Sequence, residues 1–466
     1  MALFYNFKGY ERLSDDFAVS CDETSVDVLR CNVSAAPINQ VWPGYERPIE
    51  QTEYTWFANI ESNEAVTLKI TPKASFESVT VRPLSKKIVP TINEKTVIIT
   101  FPGAGQYSVE FDGVHHVLTV FINPQKDFGI NEGDKNVIYF GAGVHKIDDM
   151  LSLEDNQTVY LDRGAVVYGG FNANGKKNIS VIGYGIIDNS LNGRGRNPIA
   201  FSHCKNATVE GVIAIDSGGW NMHFAGCENV IVDNIKLIGM WRYNSDGCDF
   251  TNCTNSCLRN SYLRNYDDCV VIKGLGGNKH LPVSNVYVEN CVLWCDWGRG
   301  LEIGAETSSP SFSNVTFKNT DIIHGNWVMM DVQHGDRADI SDITFENIRC
   351  EYEAKQMAPI LQSYRGEMYK NPDENFLCPL MVVITKKNNY SVDDKVGNVS
   401  RVVFKDIQIL SESGRMPPSS FDANAEGTVI DGITLQNIIF NGKKIDSLEA
   451  LNASVNGDVR NIKFVD

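Results

Sequence analysis

The chain has no long apolar run, and nothing approaches the roughly 18 residues that a membrane span needs. It has no basic excess either. Its 42 Lys and Arg stand against 58 Asp and Glu, a net charge of −16. That argues against a nucleic-acid partner, which needs a basic surface. A polyanionic substrate is disfavoured too, unless one local basic groove overrides the total. The start, Met1 to Lys8, lacks a basic stretch followed by an apolar one. No secretion signal is therefore visible, and the expected compartment is the cytoplasm, or outside the cell had a signal been removed. None of the 12 cysteines forms a C-x-x-C pair. Cys253 and Cys257, and Cys291 and Cys295, are each four apart, which is loosely zinc-like. Their strand-like surroundings favour reduced, buried, apolar cysteine with few or no disulfides, and neither metal nor cofactor is expected.

What is present is ordinary globular composition, 42% hydrophobic and 21% charged over 466 residues, enough for more than one domain. Residues 1–125 alternate short β-rich runs with turn residues. Ala65–Thr71, Ser78–Arg82, Thr96–Phe101, Tyr107–Phe111 and His116–Ile122 show the period-two alternation of an antiparallel β-sandwich. From about residue 133 one pattern recurs: a polar residue, a short β-branched run, then Asn. Copies begin at Asn206, Asn229, Asn255, Asn285, Asn314 and Asp342, at steps of 23, 26, 30, 29 and 28 residues, with later copies at Arg401 and Gly432. Strand-like repeats of that length indicate a β-solenoid. The leucine-rich skeleton and the paired turn signatures of propeller blades are both missing. The expected fold is all-β: a right-handed parallel β-helix over 126–466, preceded by the 1–125 sandwich. That first domain is expected to bind substrate or to cap the open edge of the first coil. The step from Asp342 to Arg401 is 59 residues, about one coil too long. The surplus, roughly Glu351 to Cys378, reads as a surface excursion or as a groove wall carrying Tyr364, Arg365 and Tyr369.

Carboxylates crowd one stretch, Asn244 to Glu306. Asp246 and the pair Asp267-Asp268 are 21 to 22 residues apart, about one coil, which makes them neighbours on stacked coils. An isolated aspartate at such a place is usually a turn residue. Three at one-coil spacing can supply the protonated acid and the water-activating base of inverting glycoside hydrolysis, which stand about 6.5–9.5 Å apart. Crowding of like charges also raises one pKa and keeps an acid protonated near neutral pH.

Three motifs carry a resemblance. Asn244-Ser245-Asp246-Gly247, Asp267-Asp268-Cys269-Val270-Val271-Ile272-Lys273 and Gly298-Arg299-Gly300-Leu301-Glu302-Ile303-Gly304 resemble the signatures of the polygalacturonase-type enzymes, glycoside hydrolase family 28. The coils near Gly164–Gly169 and the preceding sandwich look more like family 49, the dextranase and isopullulanase group. The resemblance implies an inverting hydrolase with Asp267 as general acid and with Asp246 and Asp268 holding the water. Asp249 matches a further acidic position of family 49. Two departures concern substrate. Arg299 stands where family 28 has His, leaving Glu302 or Glu306 to replace its tuning role. Met329 and Asp331 stand where it has two cations that bind the uronate carboxylate. A carboxylate beside Asp331 would be repelled by about 1 kcal/mol or more, so a neutral α-linked glucan or related sugar is expected. Lys273, Arg299, Arg337 or Arg242 would have to rescue an anionic one.

Trp241, Trp297 and Trp327 are expected to stack on sugar rings, whereas Trp220 reads as a core aromatic. The candidate substrate contacts are Asp249, Lys273, Arg299, Glu302, Trp241, Trp297, Trp327 and Asp331. His324, His334 and Asp336 read as a polar loop cluster at the subsite end rather than a metal site. Rival readings are a pectin-type hydrolase with altered uronate recognition, a polysaccharide lyase on the same fold and a non-catalytic carbohydrate-binding solenoid.

Overall fold

The computed structural model describes residues 2–34, 39–41, 49–356, 360–362 and 376–465. Tyr364, Arg365 and Tyr369 lie outside the described residues. The N-terminal part is one ten-stranded sheet folded over its own apolar core. The strands expected from alternation are present as Val66–Pro72, Val79–Arg82, Thr96–Phe101, Gly105–Phe111 and Val117–Asn123. In Val66–Pro72, Val66, Leu68 and Ile70 are buried while Thr67 and Lys69 are exposed, as period two requires. Pairing is antiparallel except where Val117–Asn123 runs parallel to Thr52–Glu61.

From Val137 the chain winds as the right-handed parallel β-helix, with 32 strands in one continuous ladder system. Between Lys177 and Thr385 each coil contributes three short strands to these ladders, and each pairs in parallel with its counterpart one coil on. The recurring sequence pattern is the first ladder, which includes Thr254–Arg259, Val283–Glu289, Ser311–Lys318 and Asp339–Glu346. Its leading residues Asn206, Asn229, Asn255, Asn285 and Asn314 all have left-handed backbone, φ 53° to 60°. Asn tolerates that conformation where β-branched residues do not. The side-chain amides stack as well. Asn229 donates to Asn206 (3.0 Å), Asn285 to Asn255 (2.9 Å) and Asn314 to Asn285 (2.7 Å). Inside, equivalent positions repeat too: the rings of Phe317, Phe345 and Phe404 stack at 4.9 and 5.0 Å.

Ten of the twelve cysteines are buried and all are free thiols. Cys257, expected inside, is only half-buried. It stands between Ser256 and Leu258, which point inward, so alternation turns it outward.

The 59-residue step lies within a single coil, since Ile340 to Glu346 pair directly with Val399 to Lys405. The surplus leaves that coil on either side of the strand Met381–Thr385, which itself pairs with Val328–His334. The N-terminal sheet is not simply an end cap. Its Leu29, Cys31, Phe57 and Phe121 pack against Ile186, Ile213, Ile215, Ile238, Tyr262, Val292, Trp294 and Ile323, along the second ladder of six successive coils. Finally, His324 does not join His334 and Asp336. It sits in this domain junction between Glu110 (2.7 Å) and Glu353 (2.5 Å), while His334 meets Thr307 (2.8 Å) in the third ladder. Among the described residues, no helix is long and apolar enough to cross a membrane.

Candidate active site

The carboxylates gather where the chain turns into the third ladder, whose strands here are Met222–Ala225, Cys248–Thr251, Val270–Gly274, Arg299–Thr307 and Val328–His334. The turns are stacked by the backbone. Asn221 N–H donates to Asp246 O (2.9 Å), Gly247 N–H to Asp268 O (2.8 Å) and Cys269 N–H to Arg299 O (2.8 Å). Asp246, Asp268 and Arg299 thus hold equivalent places on three successive coils, as the one-coil spacing predicts. The glycines are there because the coils touch. A Cβ on Gly247 would stand 2.2 Å from Cys269 O, and one on Gly298 2.3 Å from Asp268 Oδ1.

Within the strands, alternation separates two sets. Cys248, Phe250, Val270, Ile272, Leu301 and Ile303 enter the core. Asp249, Lys273, Glu302 and Asp331 take the other face, with Asp249 opposite Val271, Val271 opposite Glu302 and Glu302 opposite Asp331. Lys273 Nζ bridges Asp246 Oδ2 (2.8 Å) and Asp249 Oδ1 (3.3 Å). The guanidinium of Arg299 lies near Asp268 (3.4 Å), Asp331 (3.3 Å) and Glu302 (3.7 Å), and donates to Gln333 Oε1 (2.8 Å). Its backbone N–H also donates to Asp268 Oδ1 (2.7 Å).

This network shifts adjacent aspartates in opposite directions. Burial pushes Asp267 well above the usual carboxylate range, and repulsion by Asp246 and Asp268 adds to the rise. Burial also works against the charge on Asp268, but Arg299, Lys273 and the Arg299 amide overcome it and hold Asp268 below that range. Burial and the charge of Asp268 push Glu302 well above it. Asp246 is raised by burial to about 6, with Lys273 opposing and Asp268 assisting. Burial raises Asp331 to about 7 against the pull of Arg299.

A cleft of about 630 Å³ opens over these groups. Asp246, Asp267, Asp268, Lys273, Arg299, Glu302, Trp297 and Trp327 line it, as expected from sequence. Trp327 is 41% exposed and meets Trp297 edge-on at 5.2 Å, an accessible aromatic face beside the acids.

Asp249, Asp331 and Trp241 do not line the cleft. Asp249 is buried behind Lys273, and Asp331 is buried against Arg299. Trp241 lies under the Arg242 guanidinium, 5.3 Å away. Met329, read as replacing a substrate-binding cation, is buried in the β-helix core. Arg337 and Arg242 are outside the cleft, engaged by Asp393 and Asp216 respectively. Trp220, read as core, instead lines the cleft, with Lys273 Nζ 4.2 Å from its ring centre. Sequence reading also missed Arg194, Tyr243 and Tyr390. Arg194 belongs to a Gly-rich turn and Tyr243 directly precedes the Asn244 motif, so both carried a local signal. Tyr390 carried none, because only the tertiary fold brings it here.

Comparison with known proteins gives the same direction. Residues 164–371 match the family model described as glycosyl hydrolases family 28. The probable rhamnogalacturonase B of Aspergillus fumigatus is 28% identical over 140 residues, 30% of this chain and 25% of that protein. The probable endopolygalacturonase D of Neosartorya fischeri is 27% identical over 176 residues, 34% of this chain and 35% of that protein. The chain thus spans about a quarter to a third of the length of these curated relatives. Among solved structures, Dex49A from Penicillium minioluteum superposes with a TM-score of 0.69, covering 95% of this chain and 94% of that one at 17% identity, a likeness of fold across both domains. The motifs, the fold and these matches agree that this chain resembles the polygalacturonase-like β-helix glycoside hydrolases, with its family 28 likeness centred on the coils that carry the aspartates.

Proposed function

We propose that the chain is an inverting glycoside hydrolase, with residues 126–466 as its catalytic domain and residues 1–125 packed along its flank. The observation that carries the reading is the contrast between adjacent aspartates in one aromatic-lined cleft: Asp267 is pushed above the usual carboxylate range and Asp268 is held below it. In this mechanism Asp267 gives its proton to the leaving glycosidic oxygen. Asp268, with Asp246, orients a water on the opposite face of the sugar and takes its proton as the water attacks the anomeric carbon. The Lys273 ammonium fixes the Asp246 side chain. Arg299 and Lys273, by holding Asp268 below the usual carboxylate range, keep it available as an acceptor. No metal or cofactor takes part in these steps.

The substrate favoured is a neutral α-linked glucan or related oligosaccharide. Asp331 does not line the cleft, so its charge is not what disfavours a uronate there. It is the balance inside that matters. Lys273 and Arg299 are each already shared among carboxylates, so neither is spare for a uronate. A pectin-type substrate is the second reading. It is favoured by the rhamnogalacturonase and polygalacturonase names of the curated relatives and by Arg194 at the cleft edge. Reducing ends released from dextran, from other α-glucans and from polygalacturonate, each assayed alone, separate the two. Release from a neutral glucan is the expected result; release from polygalacturonate alone would reverse the choice.

A further inference from the structure

We infer that Glu306 is the specificity-determining residue of the cleft: its carboxylate accepts hydrogen bonds from the hydroxyls of a neutral sugar lying beside Lys273 and turns away a uronate at that place. This rests on the hydrolase reading above and assigns its substrate preference to one side chain.

The backbone brings Glu306 there. Strand Arg299–Thr307 pairs regularly with Val270–Gly274 as far as Ile303, opposite Ile272, and pairs again at Thr307, opposite Gly274. Between those points Lys273 stands alone on one strand, whereas Gly304, Ala305 and Glu306 stand on the other. The neighbour on the far side repeats the mismatch. Ile303 pairs with Val332 and Thr307 meets His334 (2.8 Å), with only Gln333 between them. The strand therefore bulges, and a bulge next to an active site re-aims its side chains. Ala305 and Glu306 both line the cleft, together with Lys273, Asp246 and Asp267. Ala305 has no polar side chain, so Glu306 is the group that the bulge supplies.

The bulge is held in place. Thr307 N–H donates to Asp336 Oδ2 (3.0 Å), and Thr307 Oγ1 accepts from Gly335 N–H (3.1 Å) and Asp336 N–H (2.9 Å). Ser308 N–H donates to Gly274 O (2.7 Å), and Asn388 Nδ2 donates to Ala305 O (3.5 Å). Glu306 itself is half-buried, and among the described residues its carboxylate has neither a hydrogen bond nor an ion pair. The other charged groups around it are engaged. Lys273 holds Asp246 (2.8 Å), and the Arg299 amide and guanidinium hold Asp268 (2.7 and 3.4 Å). Arg194 donates to the Tyr243 carbonyl (3.2 Å) and to Asn244 Oδ1 (2.8 Å). A carboxylate is an acceptor only, and one without a protein partner is free to accept from adjacent hydroxyls of a bound sugar, in charge-assisted hydrogen bonds of the stronger kind. A uronate at that place sets two like charges against each other, and the cleft cations Lys273, Arg299 and Arg194 already have partners.

The test measures kcat and KM of the full chain on the neutral α-linked oligosaccharide it hydrolyses best and on an oligogalacturonide, with free D-galacturonate as an inhibitor. The wild type should prefer the neutral substrate and be inhibited only weakly. In Glu306→Gln the KM for the neutral substrate should rise about tenfold, with kcat little changed. Glu306→Lys should in addition lower the inhibition constant of galacturonate by about tenfold or more, an effect that added salt weakens. Damage to the fold would depress both substrates alike and would not tighten galacturonate. A wild type that prefers the neutral substrate, with both variants keeping its ratio between substrates and its inhibition constant, overturns the inference and leaves the hydrolase reading and the neutral-sugar choice intact. A wild type that hydrolyses only the oligogalacturonide overturns the substrate choice and this inference together.

Discussion

At the residue scale, the site is a problem of burying charge. Six carboxylates and two cations share a small volume, and isolated buried charges are costly. The chain resolves this by leaving some carboxyls protonated and pairing others. The sequence made part of this legible: three aspartates at one-coil spacing meant stacked carboxylates, and stacked carboxylates meant split pKa values. It did not reveal which of the outward-facing acids would be covered. Asp249 and Asp331 alternate correctly to face the cleft, but the longer Lys273 and Arg299 side chains lie over them. Lys273 supplies a direct check. Its ammonium, 2.8 Å from Asp246, lowers the pKa of that carboxyl, which must be ionised to hold the water. The kcat/KM profile should therefore fall on the acid side near pH 6. In Lys273→Met the acid limb should move to higher pH by about one unit or more. The basic limb should rise with it, since Lys273 also lowers Asp267. An acid limb that stays in place would remove Lys273 and Asp246 from this role.

At the element scale, the solenoid was readable because each coil repeats one backbone problem. The chain must turn through left-handed φ at the same place in successive coils, and Asn solves it from Asn206 to Asn314, with Asp342, Arg401 and Gly432 in the later copies, which printed the period into the sequence. Insertions carry no such period. The 59-residue step therefore read only as a surface excursion or a groove wall over about Glu351 to Cys378, and the segment bearing Tyr390 stayed invisible. The Asn ladder predicts unequal substitutions. Asn285 has φ 55° and both gives and receives amide hydrogen bonds in the stack. Asn285→Val forces a β-branched residue into a strained region at a cost of about 1–3 kcal/mol, in addition to the lost hydrogen bonds. Asn285→Gly keeps the backbone relaxed and should cost less. Denaturant midpoints of the two variants test this, and equal losses would mean the backbone conformation is not what selects Asn.

At the scale of the whole molecule, two domains are joined along a flank rich in buried charge, and the ionisation of that charge couples stability to pH. The alternation in residues 1–125 announced a sheet domain, but nothing local said which side of the solenoid it would cover. Burial raises Asp296 to about 6 and Glu351 to about 7 at this flank, and does the same to Asp246, to about 6, and Asp331, to about 7, at the active site. The folded state then holds protons that the unfolded chain has lost above about pH 4, so these groups make stability fall as pH rises from about 4 to 7. His324 acts in the same sense: burial opposes its charge, but Glu110 and Glu353 raise it to about 9, so its contribution is lost as pH rises through that value. Lys236, lowered by burial to about 7, opposes the trend above pH 7. Glu110 opposes it at the acid end. Burial works against its charge, but His324 and Arg82 bring it to about 2, and its contribution disappears as pH falls from about 4.5 towards 2. Calorimetry should therefore give a Tm several degrees higher at pH 5 than at pH 8, and the reverse order would contradict the burial-driven shifts.

All these scales converge on one reaction, in which water attacks the face opposite the bond that Asp267 protonates. The anomer of the first-formed product tests that most directly. With an α-linked oligosaccharide that the wild-type protein cleaves, NMR during the first minutes should show the β-anomer at the new reducing end. Asp267→Asn should lower kcat by about 10²–10⁴ on that substrate. Initial release of the α-anomer would contradict the account.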